Sequence, residues 1–147
     1  MRQALSALLL LLAACAGPQP TDMKDPASVA RAFVEAFNAR DLPRMLPLVD
    51  QVNMDVLKAA LSEGPNGPAW QSIFNPEAIL VIGRENGEIE GPRYDRRDAY
   101  VKVGEDNGDA YLVVLARQKD DGWLIVENSL MSEEKFMALS EEQPRKN

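Results

Sequence analysis

Residues 110–125, Ala110-Tyr111-Leu112-Val113-Val114-Leu115-Ala116-Arg117-Gln118-Lys119-Asp120-Asp121-Gly122-Trp123-Leu124-Ile125, decide the fold. Ala110 to Ala116 is an unbroken apolar run, rich in β-branched and aromatic residues, and it reads as the most apolar strand. Asp120-Asp121-Gly122 is a turn signal, and Trp123 to Ser129 resumes the strand pattern. Two such runs around such a turn make an antiparallel hairpin. The first run is apolar on both faces, so one face must meet other elements. The opposite face, with Tyr111, Val113 and Leu115, is expected to be exposed unless covered.

More strands are expected upstream. Ala78 to Arg84 is β-rich, and Asn86-Gly87 is a strong hairpin signal. Tyr94 to Val103 reads as one longer strand, with Ala99, Val101 and Val103 alternating. Asp106-Asn107-Gly108 turns the chain back. Downstream, Ser132 caps a short last helix carrying Phe136 and Leu139, with Glu133 and Glu134 suited to its N-terminal dipole.

The front half reads as helices. Asp25-Pro26 is a cap followed by proline at the first helical position. Ala30, Phe33, Val34 and Phe37 then form one apolar stripe that ends near Asn38-Ala39-Arg40. Asp41 caps a second short helix with Met45, Leu46 and Val49, tolerating Pro43 in its first turn. A third helix is expected from about Asn53 to Ser62. Val56, Leu57, Ala60 and Leu61 should face inward, with Gly64 as its stop. Gly64 to Pro68 is a loop. Helices followed by a meander of strands give an α+β class, with N-terminal helices packed on an antiparallel sheet.

The Phe33-Val34-Glu35-Ala36-Phe37-Asn38-Ala39-Arg40-Asp41 stretch resembles the opening helix of the nuclear transport factor 2-like (cystatin-like) superfamily. The Val113-Val114-Leu115 … Asp120-Asp121-Gly122-Trp123-Leu124-Ile125 hairpin is similar to its closing strands. The resemblance covers most of residues 25–130. It implies a curved sheet wrapping the first helix into a cone with an apolar cavity, and since members of the superfamily often dimerise through the outer sheet face, the face with Tyr111, Val113 and Leu115 is expected to be a homodimer or partner surface.

The N-terminus carries a second resemblance. Met1-Arg2-Gln3 is a short basic start, and Ala4 to Ala14 is apolar except for Ser6. Eleven helical residues span only ~16 Å, short of the ~30 Å bilayer core, as in a secretory signal. Leu12-Ala13-Ala14-Cys15 resembles the lipobox of bacterial lipoproteins. It implies removal of residues 1–14 and diacylglyceryl attachment to Cys15. Two or more acyl chains hold a protein firmly on a bilayer. Ala16, where an Asp would signal inner-membrane retention, implies the outer membrane, facing the periplasm, in a Gram-negative envelope. The expected organisation is signal peptide 1–14, tether 15–24, single α+β domain 25–139 and flexible tail 140–147.

The chain has 147 residues, 16 Lys+Arg, 23 Asp+Glu, one Cys and no His, for a net charge of -7. Without His there is no Ser–His or Cys–His nucleophile pair. One Cys closes no internal disulfide. The acidity disfavours nucleic acid as a partner, and no phosphate-cradling or dinucleotide glycine motif calls for a cofactor. Asp106-Asn107-Gly108-Asp109 and Asp120-Asp121-Gly122 fit hairpin turns, not a calcium loop.

The candidate ligand-binding residues are Trp70, Tyr94, Tyr100 and Glu127. Trp70 either covers a cavity mouth or plugs the core. Period-two spacing puts Glu127 on the face of Trp123 and Ile125. There it is either a buried carboxylate needing a partner such as Arg96, Arg97 or Arg117, or a solvent-side group. Tyr94-Asp95-Arg96-Arg97-Asp98 reads as a ligand rim or a self-paired strand start. The expected function is a non-enzymatic, lipid-anchored envelope protein binding a small apolar ligand or an envelope protein. The alternative is a small hydrolase or isomerase pairing Glu127 or Asp95 with a Tyr.

Overall fold

The computed structural model describes residues 20–74, 89–105, 110–120 and 122–144. Cys15, the expected strand Ala78–Arg84, and the Asn86-Gly87 and Asp106–Asp109 turns lie outside the described residues.

The chain is α+β. Helix α1 (Pro26–Asn38), α2 (Leu42–Met45), a 3₁₀ turn (Leu46–Leu48), α3 (Gln51–Glu63) and α4 (Pro68–Phe74) precede four strands. These are β1 (Glu90–Asp95), β2 (Asp98–Glu105), β3 (Ala110–Lys119) and β4 (Gly122–Ser132), followed by α5 (Glu133–Met137). The strands form one antiparallel sheet in the order β1-β2-β3-β4. Among the described residues, no helix is long and apolar enough to cross a membrane.

Each helix starts where its cap dictates. Asp25 accepts from the amides of Ala27 and Ser28, Asp41 from Arg44, Asp50 from Asn53, and Ser132 from Lys135. α1 closes in a Schellman motif, in which Asp41 N donates to Ala36 O (2.8 Å) and Arg40 N to Phe37 O (2.9 Å). Arg40 takes the left-handed position (φ 54) usually filled by glycine. Its guanidinium sits 5.9 Å from the Phe74 ring centre, a cation–π contact that offsets part of that strain.

α1 lies along the inner sheet face, with Val29, Ala30 and Phe33 packed among Val101, Val114, Ala116, Trp123 and Ile125. Two expectations change here. Val56 and Leu61 on α3 are 49% and 38% exposed, so only Leu57 and Ala60 of that set are buried. Tyr94 to Val103 is not one strand. It breaks at a two-residue turn, Arg96-Arg97, with Asp95 opposite Asp98 and Arg96 at φ 54. Such turns usually advertise themselves with Gly or Asn, and this one has neither.

Both sheet edges carry a docked segment, which leaves less of each edge free to pair with another chain. On β1, Tyr94 N donates to Ser140 O (2.7 Å) and Ser140 N donates back to Tyr94 O (3.1 Å). Ser140, expected to begin a frayed tail, is therefore docked. On β4, Trp123 N donates to Met23 O (2.8 Å) and Asp50 N to Ile125 O (3.0 Å). The end of the expected tether is docked as well. Met23 packs against the core, Asp22 N donates to Ser28 Oγ (3.0 Å), and Asp25 N donates to Asp22 O (3.2 Å).

Candidate functional site

A partly open cavity of about 250 Å³ lies between α1, α3, α4 and β4. Phe33 and Phe37 come from one face of α1, Leu57 from α3, Ile73 from α4 and Ile125 from β4. The helical stripe of α1 supplies more apolar surface than the sheet covers, and the surplus forms this wall. Polar groups gather on the β4 side, where Asn53, Glu127 and Asn128 line the cavity, and on α4 at Ser72.

Asn53 fixes that side. Its side-chain amide donates to Asp50 Oδ1 (2.7 Å) and to Val126 O (2.7 Å), and its backbone N–H donates to Asp50 Oδ1 (3.0 Å). One residue thus ties the α3 N-terminus to the middle of an edge strand. Sequence reasoning placed Asn53 as the first residue of α3 and assigned it no role. The available signal was Asp50 three residues ahead, in capping register.

The register of β4 contains an irregularity between Leu115 and Ala116. Ile125 pairs with Ala116, while Glu127 pairs with Leu115. Val126 is the extra residue, a bulge, and bulges re-aim side chains. Glu127 is therefore exposed and shares its cross-strand row with Leu115 and Tyr100, not with Trp123 and Ile125.

The other candidates scatter. Tyr94 pairs with Ala99 on the inner face, its ring 6.1 Å from Trp123. Burial raises its pKa above 10.0, with Asp25 adding to the shift. Tyr100 pairs with Leu115 on the outer face. Its pKa is raised by burial first and then by Asp98, Asp95 and Glu127, with Arg117 opposing. Trp70 does not line the cavity. It backs the wall through an aromatic chain, 5.0 Å from Phe74, which lies 5.3 Å from Phe37.

Asp95-Arg96-Arg97-Asp98 forms the β1–β2 turn. Asp98 holds Arg117 in a two-pronged pair (2.7 and 3.1 Å), which raises the guanidinium pKa. Arg117 is thereby engaged away from Glu127. Leu115, expected to be exposed on the outer face, is only 7% exposed. Lys102–Glu90 and Arg117–Asp98 pairs give that face charged character.

No protein-family model matches the chain, and no curated protein or solved structure matches it either. The cavity and its rim must be interpreted from their own chemistry.

Proposed function

We propose that this is a lipid-anchored cell-envelope protein of non-enzymatic type, whose cavity between α1, α3, α4 and β4 binds a small apolar ligand. The observation that carries this reading is the cavity itself, about 250 Å³ with aromatic and aliphatic walls and a few polar groups, mostly on the β4 side. Such lining suits an apolar body held in one orientation by a few polar contacts. Leu12-Ala13-Ala14-Cys15 supports the anchor, by resemblance to the lipobox. Helices leading into an antiparallel sheet, with α1 along its inner face, support a cone of the nuclear transport factor 2-like kind.

Native mass spectrometry of detergent-extracted wild type, beside Cys15→Ser and Ser72→Trp, tests both halves. Wild type should carry acyl mass and a co-purified apolar molecule. Cys15→Ser should lose the acyl mass alone, and Ser72→Trp, which fills the cavity, should lose the ligand alone. Wild type with neither mass would sink the proposal.

A further inference from the structure

We infer that the protein stands on its bilayer with the Met23–Trp123 end of the domain toward the lipid and the apolar cavity on the half away from it. This rests on the lipid-anchor reading and adds an interaction surface to it. The folded body begins at Asp22, where the Asp22–Ser28 and Asp22–Asp25 hydrogen bonds fix the chain, and the seam closes where Met23 O accepts from Trp123 N. Gly122 permits this close approach. A Cβ there would meet Met23 O at 3.3 Å and Met23 Cβ at 3.6 Å.

From Cys15 to Thr21 there are six residue steps. Fully extended they reach only ~20 Å, whatever conformation they adopt. The anchor therefore holds one end of the domain within that distance of the lipid headgroups. That end also carries the β1–β2 and β3–β4 turns, since Gln118 N donates to Arg97 O (3.2 Å). It presents Lys24, Arg96, Arg97 and Lys119 among aspartates, all four exposed. These bases offset much of the acid at that end, which lowers the repulsion the acidic chain would meet at anionic lipid.

The far end is defined by α1. Its 13 residues run for ~20 Å at ~1.5 Å each. Phe37 in its last turn meets Phe74, and Phe74 meets Trp70. The two tryptophans of the chain therefore mark the two ends, Trp123 at the seam and Trp70 beyond the close of α1. The cavity runs from Ile125 to Asn128 along β4, moving away from the seam. Its occupant then reaches it from the aqueous side, not by sideways transfer out of the lipid.

Resonance energy transfer from tryptophan to a dansyl headgroup lipid tests this, using extracted full-length protein in vesicles. Trp70→Phe reports Trp123, and Trp123→Phe reports Trp70. If Trp123→Phe fails to fold, subtracting the Trp70→Phe signal from wild type gives the same quantity. Transfer from Trp123 should be about twofold or more efficient than from Trp70, given the ~20 Å that α1 sets between the ends. Inserting about twenty Gly/Ser residues after Gly17, with an r.m.s. span of ~25 Å, should erase the difference. Equal or reversed transfer overturns the orientation, and a difference that survives the insertion overturns the short leash as its cause. Absence of acyl mass on the extracted protein overturns the anchor reading and this inference together. Acyl mass with equal transfer overturns only this one.

Discussion

Glu127 stands opposite Leu115 in the β3–β4 register, although Ile125, two residues earlier, stands opposite Ala116. The single inserted residue, Val126, sends a carboxylate outward that simple alternation would have buried beside Trp123. The inner face stays apolar, and no charged residue is buried among the described residues. Deleting Val126 should leave Glu127 opposite Leu115 and still outward, but it removes the carbonyl that accepts from Asn53 and should cost ~1–3 kcal/mol. Glu127→Ala in the intact chain should change stability by no more than ~0.5 kcal/mol, while Trp123→Ala should cost ~3–5 kcal/mol. Urea unfolding of the three variants checks the order.

Much of the fold is legible because local chemistry sets it. Asp25-Pro26, Asp41 and Ser132 announce helix starts, and the 110–125 stretch announces its hairpin. What is hidden has a common cause. The Arg96-Arg97 turn, the Val126 bulge and the docking of Met23 and Ser140 are set by tertiary hydrogen bonds. Nothing in residue type at those positions betrays them. Periodicity placed Val56 and Leu61 inside because it gives a stripe but not its width, and α4 covers only part of α3. The cavity wall was legible as the α1 stripe. Its polar rim was not, since Asn53 acts through a backbone carbonyl that only the bulge exposes.

Arg93 ties the C-terminal segment to the sheet. Its guanidinium donates to Met137 O (3.3 Å), Leu139 O (3.2 Å) and Glu141 Oε1 (3.0 Å), and lies 5.5 Å from the Phe136 ring centre. Lysine has no planar fork to reach several acceptors at once. Arg93→Lys should therefore cost ~1–3 kcal/mol. It should also raise hydrogen exchange at Ala138 to Ser140 ahead of the β2–β3 core, which exchange mass spectrometry resolves. Protection unchanged at those amides would mean that the Tyr94–Ser140 bridge holds the segment by itself.

Gly67 controls the placement of α4. A Cβ there would collide with Glu63 Cβ and lie 2.8 Å from Glu63 Oε2, the oxygen that accepts from Ala69 N at 2.8 Å. Gly67→Ala should cost ~1–3 kcal/mol through overpacking. Because Ile73 and Ser72 ride on α4, it should also weaken binding of an apolar fluorescent probe. Glu63→Ala with Gly67→Ala keeps the colliding Cβ and also loses the acceptor for Ala69 N, so it should not restore the stability. Thermal unfolding with probe titration reads both effects.

Tyr94 and Tyr100 make folding stability sensitive to alkali. Both pKa values lie above the ordinary 10.0, chiefly through burial, with nearby carboxylates adding to each. A folded-state pKa above the unfolded value favours the protonated phenol in the native protein. Their contribution is complete below pH ~10 and is lost as pH rises through the folded values. Stability measured by urea titration should fall above pH 10 more steeply in wild type than in Tyr94→Phe or Tyr100→Phe. The double variant should show the flattest profile of the set. A Tyr100→Phe profile parallel to wild type would mean that the phenol feels Asp98, Asp95 and Glu127 equally before and after unfolding.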